Sequence, residues 1–195
     1  METPVALDVP VGLRLEALLA LPESPKAGLV VCHPHPLYGG DMDNPVVVRV
    51  AEVAQGVGMA TLRFNFRGVG ASGGVHSGGE GEQDDVAAAL SALAGRLPAE
   101  SPIGLAGYSF GAWVAARVAA AMPALPALAL LAPPLGMYDL DFLGHAPSHT
   151  LLVSGSRDQY CPAEALERLG MRLGTRAKII EGAEHFFLGK LFPMS

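Results

Sequence analysis

The sequence predicts an α/β protein: a mainly parallel, doubly wound sheet of about seven strands with helices on both faces. Two observations carry this. Short apolar runs alternate with longer stretches of helical periodicity, so each crossover is a helix rather than a hairpin. Half of the 195 residues are hydrophobic and only 16% are charged, as expected where strands are buried on both faces and run as unbroken apolar blocks. The 24 glycines and 16 prolines concentrate at the ends of those blocks. Such a composition excludes a disordered chain.

The elements follow in order. Residues 13–21 and 27–32 read as strands. Asn44 caps a helix with Pro45 in its first turn and Val46, Val50 and Val53 along one side. Residues 59–66 form a strand, followed by a Gly- and Ser-rich loop over 67–81 that is expected to be mobile. Glu82, Asp84 and Asp85 crowd the start of a helix striped by Val86, Leu90, Leu93 and Leu97, where acidic groups suit the helix dipole. Strand 103–108, helix 110–122 with Trp113 and Met122 in the core, strand 128–132, strand 150–154, helix 162–173 and strand 177–180 complete the chain. No repeat or linker interrupts it, so residues 1–195 are expected to be a single domain.

Thirteen basic against 19 acidic residues give a net charge of −6, which offers no electrostatic footprint for nucleic acid or an anionic membrane. Arg168, Arg172, Arg176 and Lys178 read as a solvated face. Cys32 and Cys161, the two cysteines, show no zinc or disulfide spacing and suit small apolar slots. No signal peptide is evident and residues 112–135 are broken by Arg117, Pro123 and Pro126, so a cytoplasmic location is expected.

In a parallel sheet the chemistry belongs at the carboxyl ends of the strands. There the sequence reads Gly107-Tyr108-Ser109-Phe110-Gly111, a G-x-S-x-G between a strand and a helix. A second match, Gly70-Ala71-Ser72-Gly73-Gly74, lies inside the loop with no helix after it, and context favours Ser109. The plain alternative for Ser109 is a helix cap. A serine needs a base, and the base an orienting carboxylate. Of six histidines, His185 follows the last strand in a carboxyl-end loop. His145 and His149 precede a strand, and His76 sits in the mobile loop. Asp158 follows strand 150–154 and outranks Asp139 and Asp141, although it also suits a turn. The order Ser109, Asp158, His185 agrees with one hydrolase arrangement. Ester turnover is then expected to fall as acid protonates the base.

Two oxyanion donors are needed. One is the backbone N–H of Phe110. The second belongs to the loop His33-Pro34-His35-Pro36-Leu37-Tyr38-Gly39-Gly40, where the prolines cannot donate and either His35 or Leu37 qualifies. The His33/His35 pair has no third ligand nearby, so no metal and no cofactor are expected.

These residues resemble an α/β-hydrolase, and within that superfamily the small bacterial serine hydrolases distantly similar to dienelactone hydrolases. The resemblance rests on residues 33–40 with Met42-Asp43-Asn44, on Phe64-Asn65-Phe66-Arg67-Gly68-Val69-Gly70 with Ser72 and Gly73, and on Gly81-Glu82 with Asp85. The Ser109 elbow and Gly182 with His185-Phe186-Phe187 complete it. It implies that Ser109, Asp158 and His185 form a triad and that Arg67 is structural, paired with Asp84 or Asp85. Only ten residues follow His185, Pro193 among them, where a closing helix is usual in the superfamily. Just 17 residues separate strands 128–132 and 150–154, too few for a cap domain. An open site is expected, rimmed by Tyr38, Leu135, Met137, Tyr160 and Phe186, and taking a small ester or thioester. The expected assembly is a monomer or homodimer, without nucleic acid or membrane. The competing expectations are a peptidase, acyltransferase or lyase on the same scaffold, and a catalytically idle interaction module.

Overall fold

A computed structural model describes residues 1–10 and 12–191; Pro193 lies outside the described residues. In chain order the elements are β1 (Glu2–Val9), β2 (Leu13–Ala20), β3 (Gly28–Cys32), α1 (Pro45–Gly56), β4 (Ala60–Phe64), α2 (Glu80–Ala94), β5 (Ile103–Tyr108), α3 (Phe110–Ala121), β6 (Ala127–Leu131), β7 (His149–Gly155), α4 (Ala163–Leu173) and β8 (Ala177–Ile180). The eight strands form one sheet in the order β1-β2-β4-β3-β5-β6-β7-β8. Pairing is antiparallel from β1 through β2 to β4 and parallel from there on. The strand beyond the expected seven is β1, an edge strand whose Pro4 and Asp8 are exposed. Proline is tolerated there because an edge leaves amides without a ladder partner.

Alternation along the central strands sorts the helices onto two faces. Val31 and Ala106 pack against Val47 of α1, while Val30 and Leu105 join Val86, Leu93, Val114 and Leu166 of the other three helices in the larger core. Asn44 caps α1 through its side-chain oxygen, which accepts the Val46 N–H at 3.0 Å, with Pro45 as the first helical residue. Trp113 is buried but Met122 is 40% exposed, because α3 ends at Ala121 and Met122 caps it. Arg168, Arg172, Arg176 and Lys178 are exposed. No helix lies between β6 and β7, so no helical cap is inserted at that point of the described chain.

The 67–81 loop is fastened rather than mobile, and the fastening is polar. Arg67 is buried against Asp85, donating from Nε at 3.0 Å and Nη2 at 2.7 Å, while its own N–H reaches the same carboxylate at 2.9 Å. Asp84 stands 4.0 Å away, so Asp85 is the partner. The Ser72 hydroxyl donates to Asn65 O at 2.7 Å and accepts the Glu16 N–H at 2.9 Å, which occupies it within the structure. Glu82 accepts from Ser77 N–H, Ser77 Oγ and Gly79 N–H. Burial alone would push the Glu82 carboxyl up, but these donors outweigh it and hold it below the usual range. Gly79 caps the start of α2 at φ 95 with the Trp113 ring where a Cβ would stand, so only glycine fits.

Asp85 carries no exposed surface. Removing it with Asp85→Ala leaves the Arg67 charge buried, and a loss of about 3 to 5 kcal/mol in urea unfolding is expected. A loss below about 1 kcal/mol, the range of exposed pairs, would contradict this reading.

Candidate active site

The chain leaves β3 through α1 to β4 on one side, then returns from β4 through α2, past β3, to β5 on the other side. Such a switch point opens a crevice at the carboxyl ends of the strands. Ser109 stands at the end of β5 in that crevice, and the 33–40 loop leaves the end of β3 beside it. Ser109 holds φ 54, ψ −119, a left-handed backbone that only a tightly packed surround sustains in a residue with a Cβ. That surround is two glycines without side chains. A Cβ on Gly107 would strike the Gly111 carbonyl, and one on Gly111 would strike the carbonyls of His33 and Cys32.

The turn aims Ser109 Oγ at His185 Nε2, 3.0 Å away. On the other side of the ring, Nδ1 lies 2.9 Å from Asp158 Oδ2 and 3.0 Å from Oδ1. With a carboxylate there, Nδ1 carries the proton and Nε2 is free to accept one. Asp158 is itself oriented, since its Oδ1 accepts the N–H groups of Tyr160 and Cys161, each at 2.9 Å. Asp139 and Asp141 are exposed on the surface and contribute nothing to the cleft.

One positioning contact was not anticipated. Tyr108, the first of the two variable residues of the G-x-S-x-G run, donates its hydroxyl to His185 O at 3.0 Å, tying the histidine loop to the strand that carries Ser109. Burial pushes this phenol up, so it remains a donor. Nothing in the five-residue pattern marks it, because the contact spans 77 residues of sequence.

The 33–40 loop is held by its two histidines in different ways. His33 is fully buried; its Nδ1 donates to Pro34 O at 2.6 Å and its Nε2 accepts the Phe66 N–H at 3.0 Å. Both ring nitrogens are therefore used within the protein, leaving none for a metal. Burial lowers its pKa from 6.5 to about 4. Above pH 6.5 neither state is protonated and stability is at its full value. Between 6.5 and 4 the unfolded chain binds a proton that the folded one refuses, so stability falls as pH drops. Urea unfolding should lose about 3 kcal/mol across that window, and His33→Asn should remove most of the slope. An identical slope in the variant would contradict the assignment.

His35 opens a short 3-10 turn, Pro36–Tyr38, and its Nδ1 accepts the Leu37 N–H at 3.2 Å. The Leu37 amide is thus engaged in its own turn, and Leu37 lies outside the cleft lining at 69% exposure. The backbone N–H groups of His35 and Phe110 have no hydrogen-bond partner among the described residues, and both residues line the cleft. Next to them, His76 packs its ring 5.0 Å from His35 and 5.4 Å from Phe110, with Nδ1 2.8 Å from Glu82 Oε1. The expectation of a mobile His76 is corrected by that packing.

The cleft encloses about 400 Å³, and Tyr38, Met137, Tyr160 and Phe186 are among the residues that line it. Leu135 does not line it. The turn after β6 places Pro134, Met137 and Tyr138 there, with Tyr138 N–H bonded to Pro134 O at 3.0 Å, and Leu135 packs against the core instead. Tyr138, Asn44 and Gly40 are lining residues that the sequence reading missed. Cys32 and Cys161 are both fully buried, and burial pushes both thiols up, Cys161 to about 12, which leaves neither as a competing nucleophile. Among the described residues no helix is long and apolar enough to cross a membrane.

A family model described as an alpha/beta hydrolase domain matches residues 26–190. An uncharacterized protein of Rickettsia prowazekii (strain Madrid E) is 36% identical over 185 residues, spanning 89% of this chain and 78% of its own length. An α/β serine hydrolase without lid from Xanthomonas campestris superposes with a TM-score of 0.87 at 33% identity, over 99% of this chain and 89% of that one. A serine hydrolase homologue from Coxiella burnetii gives 0.90 at 34% identity, over 98% and 93%. The elbow, the strand order and these likenesses agree: the chain belongs to the α/β-hydrolase family, in its lidless form.

Proposed function

We propose that this α/β-hydrolase is a serine esterase that cleaves small carboxylic esters or thioesters through an acyl-enzyme, with Ser109, His185 and Asp158 as its triad. The observation that carries the reading is the continuous chain from Ser109 Oγ to His185 Nε2 at 3.0 Å and from His185 Nδ1 to Asp158 at 2.9 Å, opening into a cleft.

Ser109 Oγ attacks the carbonyl carbon while His185 Nε2 takes its proton. Asp158 holds the imidazole in the required tautomer and stabilises the imidazolium. The developing oxyanion is received by the N–H groups of Phe110 and His35. The unpaired amide of His35, set against the engaged amide of Leu37, supports His35 as the second donor. The first turn of α3 adds its positive dipole end. Collapse of the tetrahedral intermediate expels the alcohol or thiol, which leaves with the proton from His185. Water then repeats the sequence on the acyl-enzyme.

The absence of a cap favours short substrates over long acyl chains, because nothing shields an extended chain from water. Side-by-side turnover of short-chain nitrophenyl esters, thioesters and aminoacyl amides tests the reaction class. Esters and thioesters are expected to be turned over and amides to lag by orders of magnitude. Faster amide cleavage would favour a peptidase, and no turnover of any acyl compound would favour an idle module.

A further inference from the structure

The rim around His185 identifies the part of the substrate that departs. We propose that the leaving group is an uncharged, apolar alcohol or thiol, preferentially aromatic, selected by Tyr160 and Phe186. This rests on the esterase reading above and extends it to specificity.

Proton transfer fixes which side of the cleft the leaving group occupies. In acylation the bond from Ser109 Oγ to the carbonyl carbon forms and the bond from that carbon to the leaving oxygen or sulfur breaks. The proton taken from Ser109 passes through His185 Nε2 to the departing atom, which must therefore come within about 3 Å of Nε2. Its substituent then lies against whatever flanks the imidazole. Tyr108 lies against it from the buried side at 5.6 Å, and two exposed aromatic rings flank it at the mouth: Tyr160 at 4.8 Å between centroids and 64° between planes, and Phe186 at 5.5 Å and 82°. Edges and faces arranged in this way receive a further ring favourably.

Both rings are placed by the same parts that place His185. Asp158 Oδ1 accepts the Tyr160 N–H, and Tyr160 O accepts the Gly136 N–H at 2.9 Å. Phe186 is followed by Phe187, fully buried near the Tyr108 ring with a left-handed φ of 53. A residue with a Cβ takes that backbone only at a cost, and the turn it makes buries one phenylalanine while leaving the other 58% exposed beside the histidine. With Met137, also exposed, they form an apolar mouth.

Charge gives a second, independent argument. Among the described residues no Asp, Glu, Lys or Arg lines the cleft, and the chain carries a net charge of −6. An anionic substituent would enter an apolar mouth with no countercharge and against the field of the molecule.

Acetate esters of benzyl alcohol, para-carboxybenzyl alcohol and methanol separate these statements, since the two benzyl alcohols are closely matched in reactivity. Benzyl acetate is expected to exceed para-carboxybenzyl acetate in kcat/KM by at least about tenfold. The benzyl-to-methyl ratio is expected to fall about tenfold in Phe186→Ala, and in the same direction in Tyr160→Leu. Equal turnover of the two benzyl esters, or an unchanged benzyl-to-methyl ratio in both variants, would overturn the leaving-group assignment while leaving the esterase reading intact. If Ser109→Ala hydrolyses these esters as the parent does, or if none of them is turned over, both readings fall.

Discussion

Replacing Ser109 with alanine is expected to lower kcat for a short-chain nitrophenyl ester by about a millionfold, down to the small residual rate that binding and oxyanion stabilisation supply without a nucleophile. The size of the effect follows from the role. Without Oγ there is no acyl-enzyme, and His185 has nothing to deprotonate at 3.0 Å. The fold should tolerate the change, because Oγ makes no helix-cap bond and, among the described residues, hydrogen-bonds to the histidine alone. Removing a side-chain atom at φ 54 relieves none of the backbone strain, since alanine keeps the Cβ. Turnover within about tenfold of the parent would exclude Ser109 as the nucleophile.

Asp158→Asn is the second large effect, expected to be about ten-thousandfold in kcat with little change in thermal stability. The two N–H groups of Tyr160 and Cys161 both donate to Oδ1. In the variant they hold the amide oxygen in that position, and the amide nitrogen must take the place of Oδ2, 2.9 Å from His185 Nδ1. Two donors then face one another unless the ring gives up its Nδ1 proton. It does so by moving that proton to Nε2, and a protonated Nε2 cannot accept from Ser109. The geometry survives and the chemistry does not. Retention of more than about a tenth of the parent rate would indicate that Asp158 serves only as the turn residue its local hydrogen bonds also suit.

The parts of this structure that were legible in the sequence are those written in short range. Mainly apolar blocks marked β3 to β8, Asn44-Pro45 marked the start of α1, and Gly107 and Gly111 marked a close approach of backbone. What was not legible depends on partners far along the chain. Strand β1 carries Pro4 and Asp8 in a run of mixed polarity, and its place becomes clear only through pairing with β2 across the whole of Glu2–Val9. The 67–81 loop looks mobile from its composition. Its order comes from Arg67 with Asp85, Ser72 with Glu16 and Ser77 with Glu82, polar pairs that no periodicity reveals. His76 was set aside for the same reason. Met122 falls one residue past the end of α3 and Leu135 shares its turn with Pro134 and Met137, so local backbone geometry decides which side chain faces the core, the cleft or the solvent.

The choice between His35 and Leu37 shows what the structure adds. Both amides are free of proline and near the strand end, so sequence leaves them equal. The His35 ring then occupies the Leu37 N–H at 3.2 Å, and the two cease to be equivalent.

The central claim is that Ser109 is an activated nucleophile, and covalent labelling tests it without any assumption about substrate. After treatment with a fluorophosphonate, intact mass and peptide mapping should show one adduct per chain, located on Ser109, and none on Ser109→Ala. An adduct on Ser72, or undiminished labelling of the alanine variant, would contradict the account.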